Sequence, residues 1–138
     1  MDEQGLTQEE RQRFEEQGYL LIPGAVPAEL VERLGAIIGE HAKGLPAGSW
    51  NRSDVFSLDP EFLELADLPK ILPKVRDLLG TNIWINHTHA NWDPPVSAEE
   101  GPRYGWHRDG GGITNDLPYP APIMLLKIGF YLTDLLQP

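Results

Sequence analysis

The residues best suited to chemistry sit in one short run, Trp106-His107-Arg108-Asp109-Gly110-Gly111-Gly112. An imidazole and a carboxylate are separated there by a single residue, and side chains at i and i+2 of an extended strand point to the same side. His107 and Asp109 can therefore reach one metal ion together. They amount to two of the three ligands in the 2-His-1-carboxylate set that holds non-heme Fe(II). The glycines that follow leave room for another molecule to approach such an ion. On residue types alone the run reads equally as a strand end before a turn, with both side chains in solvent. No histidine follows position 107 in the 138 residues, so the third ligand is not offered downstream.

A rival metal set is His87 and His89, separated by one residue, with Asp93 as a carboxylate. His-x-His on one strand face is the arrangement of cupins, but no Glu follows within a few residues and Gly80 is displaced from the cupin position. The other reading makes both histidines pocket-lining or hydrogen-bonded sheet residues. Lys127 lies in a stretch that is otherwise apolar, and a buried ammonium must be paired. It is a candidate contact for a small anion such as a dicarboxylate cosubstrate, with Asn91 and His89 as further candidates, or else an ordinary lysine on a solvent-facing side. Trp92, Tyr104 and Trp106 are candidates to line a substrate pocket. Arg103 and Arg108 flank the His-Asp pair and are expected to point away from it. Nucleophile motifs are absent: the chain has no Gly-x-Ser-x-Gly, and Gly110-Gly111-Gly112 lacks the Lys of a phosphate-cradling loop.

Composition narrows the field. The net charge of -10 argues against nucleic acid, which demands an excess of Lys and Arg, and against an anionic membrane surface. The absence of cysteine removes disulfides, zinc-thiolate sites, iron–sulfur clusters and thiol nucleophiles. The N-terminus is acidic and polar, unlike a secretory signal, and no apolar run approaches the ~20 residues of a membrane span. The expectation is a cytoplasmic protein of one domain that handles a small molecule.

Caps and periodicity predict the elements that must hold these side chains. Thr7-Gln8-Glu9-Glu10 is a capping box, giving a helix to about Gln17 with Gly18 as its stop. Tyr19-Leu20-Leu21-Ile22, closed by Pro23-Gly24, predicts a short strand. Pro27 suits the first turn of a second helix, on which Leu30, Leu34, Ile37, Ile38 and His41 share a face and which Gly44 ends. Residues 45–59 read as loop, with Trp50 and Phe56 as packing anchors, and residues 60–66 as a helical turn. Pro73 marks another helix, with Val75, Leu78 and Leu79 inward and Gly80 as its stop.

From residue 82 the pattern changes to a period of two, rich in β-branched and aromatic residues. Residues 82–92 predict a strand with Ile83, Ile85, His87, His89 and Asn91 on one face and Trp84, Asn86, Thr88, Ala90 and Trp92 on the other. A loop at 94–102 carries Glu99 and Glu100, a second strand spans 103–109, and a glycine-rich loop runs to 122. A third strand at 123–134 places Met124, Leu126, Ile128, Phe130 and Leu132 on an apolar side. Asp134 reads as a turn residue. Helices over 1–80 followed by a β-rich 81–138 predict an α+β domain with helices on one side of a largely antiparallel sheet. Three or four strands are too few to close an eight-stranded jelly roll.

Three stretches together resemble the phytanoyl-CoA dioxygenase family of Fe(II)/2-oxoglutarate oxygenases. The first runs from Leu6-Thr7 through Gly18-Tyr19-Leu20-Leu21-Ile22-Pro23-Gly24 into the Pro27 helix. The second is Trp106-His107-Arg108-Asp109, similar to the family's Trp-His-x-Asp. The third is Leu126-Lys127-Ile128-Gly129-Phe130-Tyr131-Leu132-Thr133-Asp134-Leu135. The resemblance implies N-terminal helices packed on part of a double-stranded β-helix, or jelly roll, incomplete in this chain. It implies Fe(II) held by His107 and Asp109, with 2-oxoglutarate and O2 as cosubstrates and a hydroxylated small organic product. An Asp at 109, where a halogenase has a small residue, favours hydroxylation.

The family's next segment, a Pro-Gly-Ser-His stretch with the distal His and an Arg beyond it for the far carboxylate of 2-oxoglutarate, has no counterpart here. The expectation is a chain truncated relative to that family, inactive or nearly so alone, which a complementing C-terminal segment would rescue. Two other classes stay open: a non-catalytic β-fold module that binds a partner or ligand, and a cupin-like metalloprotein.

Overall fold

The computed structural model describes residues 4–46, 50–93, 117, 118 and 120–134. Its first helix, α1 (Gln8–Gln17), forms where the local signals place it. The Thr7 hydroxyl accepts from the Glu10 amide at 3.1 Å, and the Glu10 carboxylate accepts from the Thr7 amide at 2.9 Å. Two of the N–H groups that every helix start leaves unpaired are satisfied in this way. Gly18, at φ 79°, closes the helix and donates its N–H to the Phe14 carbonyl. That left-handed backbone is one that glycine adopts without a Cβ penalty.

No residue of α1 is buried, so polar contacts dock it. Lys74 Nζ donates to the Gly5 carbonyl at 3.0 Å and to Glu10 Oε2 at 2.7 Å, and Asp77 Oδ2 accepts from the Leu6 amide at 2.7 Å. Both partners belong to α4 (Leu72–Leu79), which Gly80 closes. Val75, Leu78 and Leu79 on that helix are half-buried.

The core is organised by α2 (Ala28–Ala42). Leu30, Leu34 and Ile38, spaced by four, are its buried residues, as a helical apolar stripe requires. They meet Trp50, Val55, Phe62 and Leu68 in one cluster. These come from β1 (Trp50–Ser53), the short helix α3 (Val55–Leu58), a 3-10 helix at Pro60–Leu65, and the turn before α4. Arg33, on the outer side of α2, donates to Glu61 at 2.6 Å and to Glu64 at 2.8 Å, fastening α2 to the 3-10 helix. Asp59 caps that helix by accepting from the Glu61 amide.

Among the described residues the sheet has two antiparallel strands, β1 and β2 (His89–Trp92), paired Trp50 with Trp92, Asn51 with Asn91, Arg52 with Ala90 and Ser53 with His89. Since side chains alternate, Trp50, Arg52, Ala90 and Trp92 share one face, and Asn51, Ser53, His89 and Asn91 share the other. The first face turns toward α2: Trp50 is buried, Ala90 packs against the core, and the Trp92 ring lies beside Gly39. Asp54, left-handed at φ 56°, ends β1, donating its amide to the Thr88 carbonyl, while the Val55 amide donates to the Thr88 hydroxyl.

A mixed α+β arrangement is thus present, with corrections at the strands. Residues 19–22, predicted as a strand, lie outside helix and sheet, with Tyr19 and Leu21 exposed and Leu20 and Ile22 half-buried. Only the last four residues of 82–92 enter the sheet; Trp84 is 80% and Ile85 55% exposed. Residues 123–134 also lie outside helix and strand. Their apolar side is inward at Phe130 and Leu132, which pack on the core, while Met124 and Ile128 are exposed. The common reason is that alternation decides which side chains turn inward, but a strand also needs a neighbour for its backbone N–H and C=O. Among the described residues only β1 and β2 supply one to each other. Conversely β1, predicted as loop, becomes a strand because residues 89–92 pair with it, and Trp50 and Phe56 anchor the core as expected.

Candidate functional site

His107 and Asp109 lie outside the described residues, as do Tyr104, Trp106, Arg103, Arg108, the three glycines at 110–112, the loop at 94–102 and the strand predicted at 103–109. The structure does place His89, Asn91, Trp92 and Lys127.

On β2 these residues divide by face. His89 and Asn91 point away from α2 and are exposed, beside Ser53 and Asn51 of β1. Trp92 belongs to the opposite face, 44% exposed, with its ring against Gly39 of α2. The pocket candidate and the anion-contact candidates on this strand therefore stand on two sides of one sheet. This is the division of faces that the period of two predicts. Lys127 is exposed, which matches its solvent-facing reading and not that of a buried ammonium.

The outward face holds a local polar arrangement. His89 Nε2 and Asn91 Oδ1 are 2.6 Å apart. An amide oxygen only accepts, so Nε2 is the donor in that bond, and in the neutral ring Nδ1 then carries the lone pair. The His87 ring stands edge-on to His89, with ring centroids 5.7 Å apart and planes at 86°. Asp93 does not complete a three-donor set with them. Among the described residues no group of three His, Asp or Glu side chains is gathered closely enough to hold a metal ion. The cupin-like reading loses its carboxylate on this ground.

Sequence reasoning missed what β1 contributes. Asn51 and Ser53 extend the polar face of β2, and the only advance signal was Trp50 inward beside Asn51 outward, too short a pattern to mark a strand. It also placed His41 on the inward face of α2. The structure exposes His41, with its ring centroid 6.5 Å from that of Trp50. Position 41 is the last turn of the helix, where the stripe of Leu30, Leu34 and Ile38 has passed the end of the core. There His41 joins Ala36, Ile37, Glu40 and Asp59 around a shallow open groove.

The perturbed ionisable groups tie elements together and stand apart from these candidates. The hydrogen bond from Lys74, then that from the Thr7 backbone, holds the Glu10 carboxyl below its ordinary value, and partial burial opposes them. Hydrogen bonds to Glu61 and Glu64 raise Arg33 above its own.

No family model, curated protein or solved structure matches the chain.

Proposed function

We propose that this chain contributes to an Fe(II)/2-oxoglutarate-dependent hydroxylase of a small organic substrate, with His107 and Asp109 as two of the iron ligands. The observation that carries the reading is the one-residue spacing of an imidazole and a carboxylate in Trp106-His107-Arg108-Asp109. The helix-first order supports it, with a box-capped α1, the Gly18 stop and α2 preceding the sheet. The β1–β2 pair is read as part of a jelly roll.

The donor set suits the metal, since neutral imidazole and carboxylate are the ligand types of non-heme iron sites. With iron, 2-oxoglutarate and O2 bound, the centre supplies hydroxylation of a C–H bond coupled to decarboxylation of the cosubstrate. The chain's own part is to ligate and to position. His107 binds as the neutral imidazole and Asp109 as the anion. Trp92, Tyr104 and Trp106 bound the substrate. A second imidazole and an Arg come from a complementing segment.

Two measurements test this. In anaerobic equilibrium dialysis the chain binds Fe(II), and His107→Ala and Asp109→Ala each weaken binding by more than the ~10–100-fold typical of losing a supporting contact outside the ligand set. Iron retention unchanged in both variants overturns the ligand assignment. In a succinate-release assay the 138-residue chain alone gives little or no turnover, and adding a segment that carries the imidazole and the Arg raises it. Full turnover without that segment overturns the need for it.

A further inference from the structure

We propose that His87 and His89 form a second, two-imidazole site for a late first-row divalent cation, with Cu(II) held most tightly. It does not depend on the iron reading, because its ligands and expected metal both differ.

Both histidines are exposed, so an ion can reach them from solvent without opening the core. They are two residues apart and run into β2, whose pairing with β1 fixes the backbone beneath His89 opposite Ser53. A metal–nitrogen bond is about 2.0–2.1 Å, and the ring centre lies about 1.1 Å further on. Two imidazoles sharing one ion therefore have centroids roughly 4.5–6.3 Å apart for angles at the metal from about 90° to about 180°. The observed 5.7 Å falls inside that window, so the two rings already stand at a separation that one shared ion requires.

Asn91 supplies what a metal-binding histidine usually has, a partner for the ring nitrogen that faces away from the ion. Its Oδ1 accepts from His89 Nε2 at 2.6 Å, which fixes the tautomer and leaves Nδ1 as the donor atom. Ser53 and Asn51 keep this face polar, and water fills the remaining coordination positions. Imidazole donors without thiolate or a clustered carboxylate favour copper, nickel and zinc, and among these the divalent order places copper first.

The test uses the full 138-residue chain carrying His107→Ala and Asp109→Ala, so that the proposed iron ligands cannot contribute. Cu(II) is titrated at pH 7.5, where imidazole is neutral, and the histidine ring protons are followed by NMR. The expected result is paramagnetic broadening of His87 and His89 at substoichiometric copper while His41 stays sharp. Adding His87→Ala or His89→Ala then weakens binding tenfold or more. Asn91→Ala, which leaves both imidazoles in place, weakens binding by less than either histidine variant and makes it more pH-dependent. Broadening of His41 in step with the other two, or a loss below tenfold in both histidine variants, overturns the proposal. Unaltered circular dichroism of the variants shows that their losses are not due to unfolding.

Discussion

Glu10 does two jobs with one carboxylate. It accepts from the Thr7 amide, closing the capping box, and from Lys74, whose side chain is only 12% exposed. Its carboxyl is held below the ordinary value of 4.5, so its contribution to stability is complete above that value and is lost as pH falls through the lower folded value. Glu10→Gln separates the two jobs, because glutamine at the third helical position still completes a capping box. We expect it to cost about 0.5–1 kcal/mol at pH 7, as a partly exposed ion pair does. Its thermal midpoint should also fall less than the parent's on acidification from pH 5 to pH 3; equal acid sensitivity in the two proteins refutes the role of the Lys74 pair. Gly18→Ala tests the helix stop. Nothing lies within 4 Å of the added methyl, so its cost is the left-handed backbone alone, about 1–2 kcal/mol, measurable by urea denaturation.

Among the elements, α2 carries the largest share of the packing. Leu34 is fully buried at the middle of its stripe, and Leu34→Ala should cost about 2–5 kcal/mol in urea unfolding. A loss under 1 kcal/mol would mean that the core does not depend on this face. What was legible in the sequence follows the range of the forces involved. The start and stop of α1, the buried stripe of α2 and the Gly80 stop of α4 are encoded within a few neighbouring residues, and each appears where the pattern puts it. β1 was not legible, because Trp-Asn-Arg-Ser becomes a strand through partners 36 to 42 positions away at 89–92. The same non-local requirement explains the opposite error at 19–22, where an apolar run has no ladder partner. For the candidate site, the alternation of β2 correctly separated His89 and Asn91 from Trp92. The bond that sets the His89 tautomer needed coordinates.

At the scale of the whole molecule, the chain is a helical layer fastened to a small sheet, and the fastenings differ in kind. One apolar cluster joins α2, β1, α3 and the 3-10 helix. The N-terminal helix is held by Lys74, Asp77 and the groups they meet, with Phe14 no more than half-buried. Partly exposed charge contacts weaken in salt, whereas hydrocarbon burial does not. Amide hydrogen exchange should therefore show the α1 amides exchanging faster in 1 M NaCl than in 50 mM, with those of Leu34 and Ile38 unchanged or slower. A parallel response of both helices would refute the distinction. Its consequence is a two-tier arrangement, in which α1 can peel away and reseat on an electrolyte-controlled timetable while the α2 core stays folded.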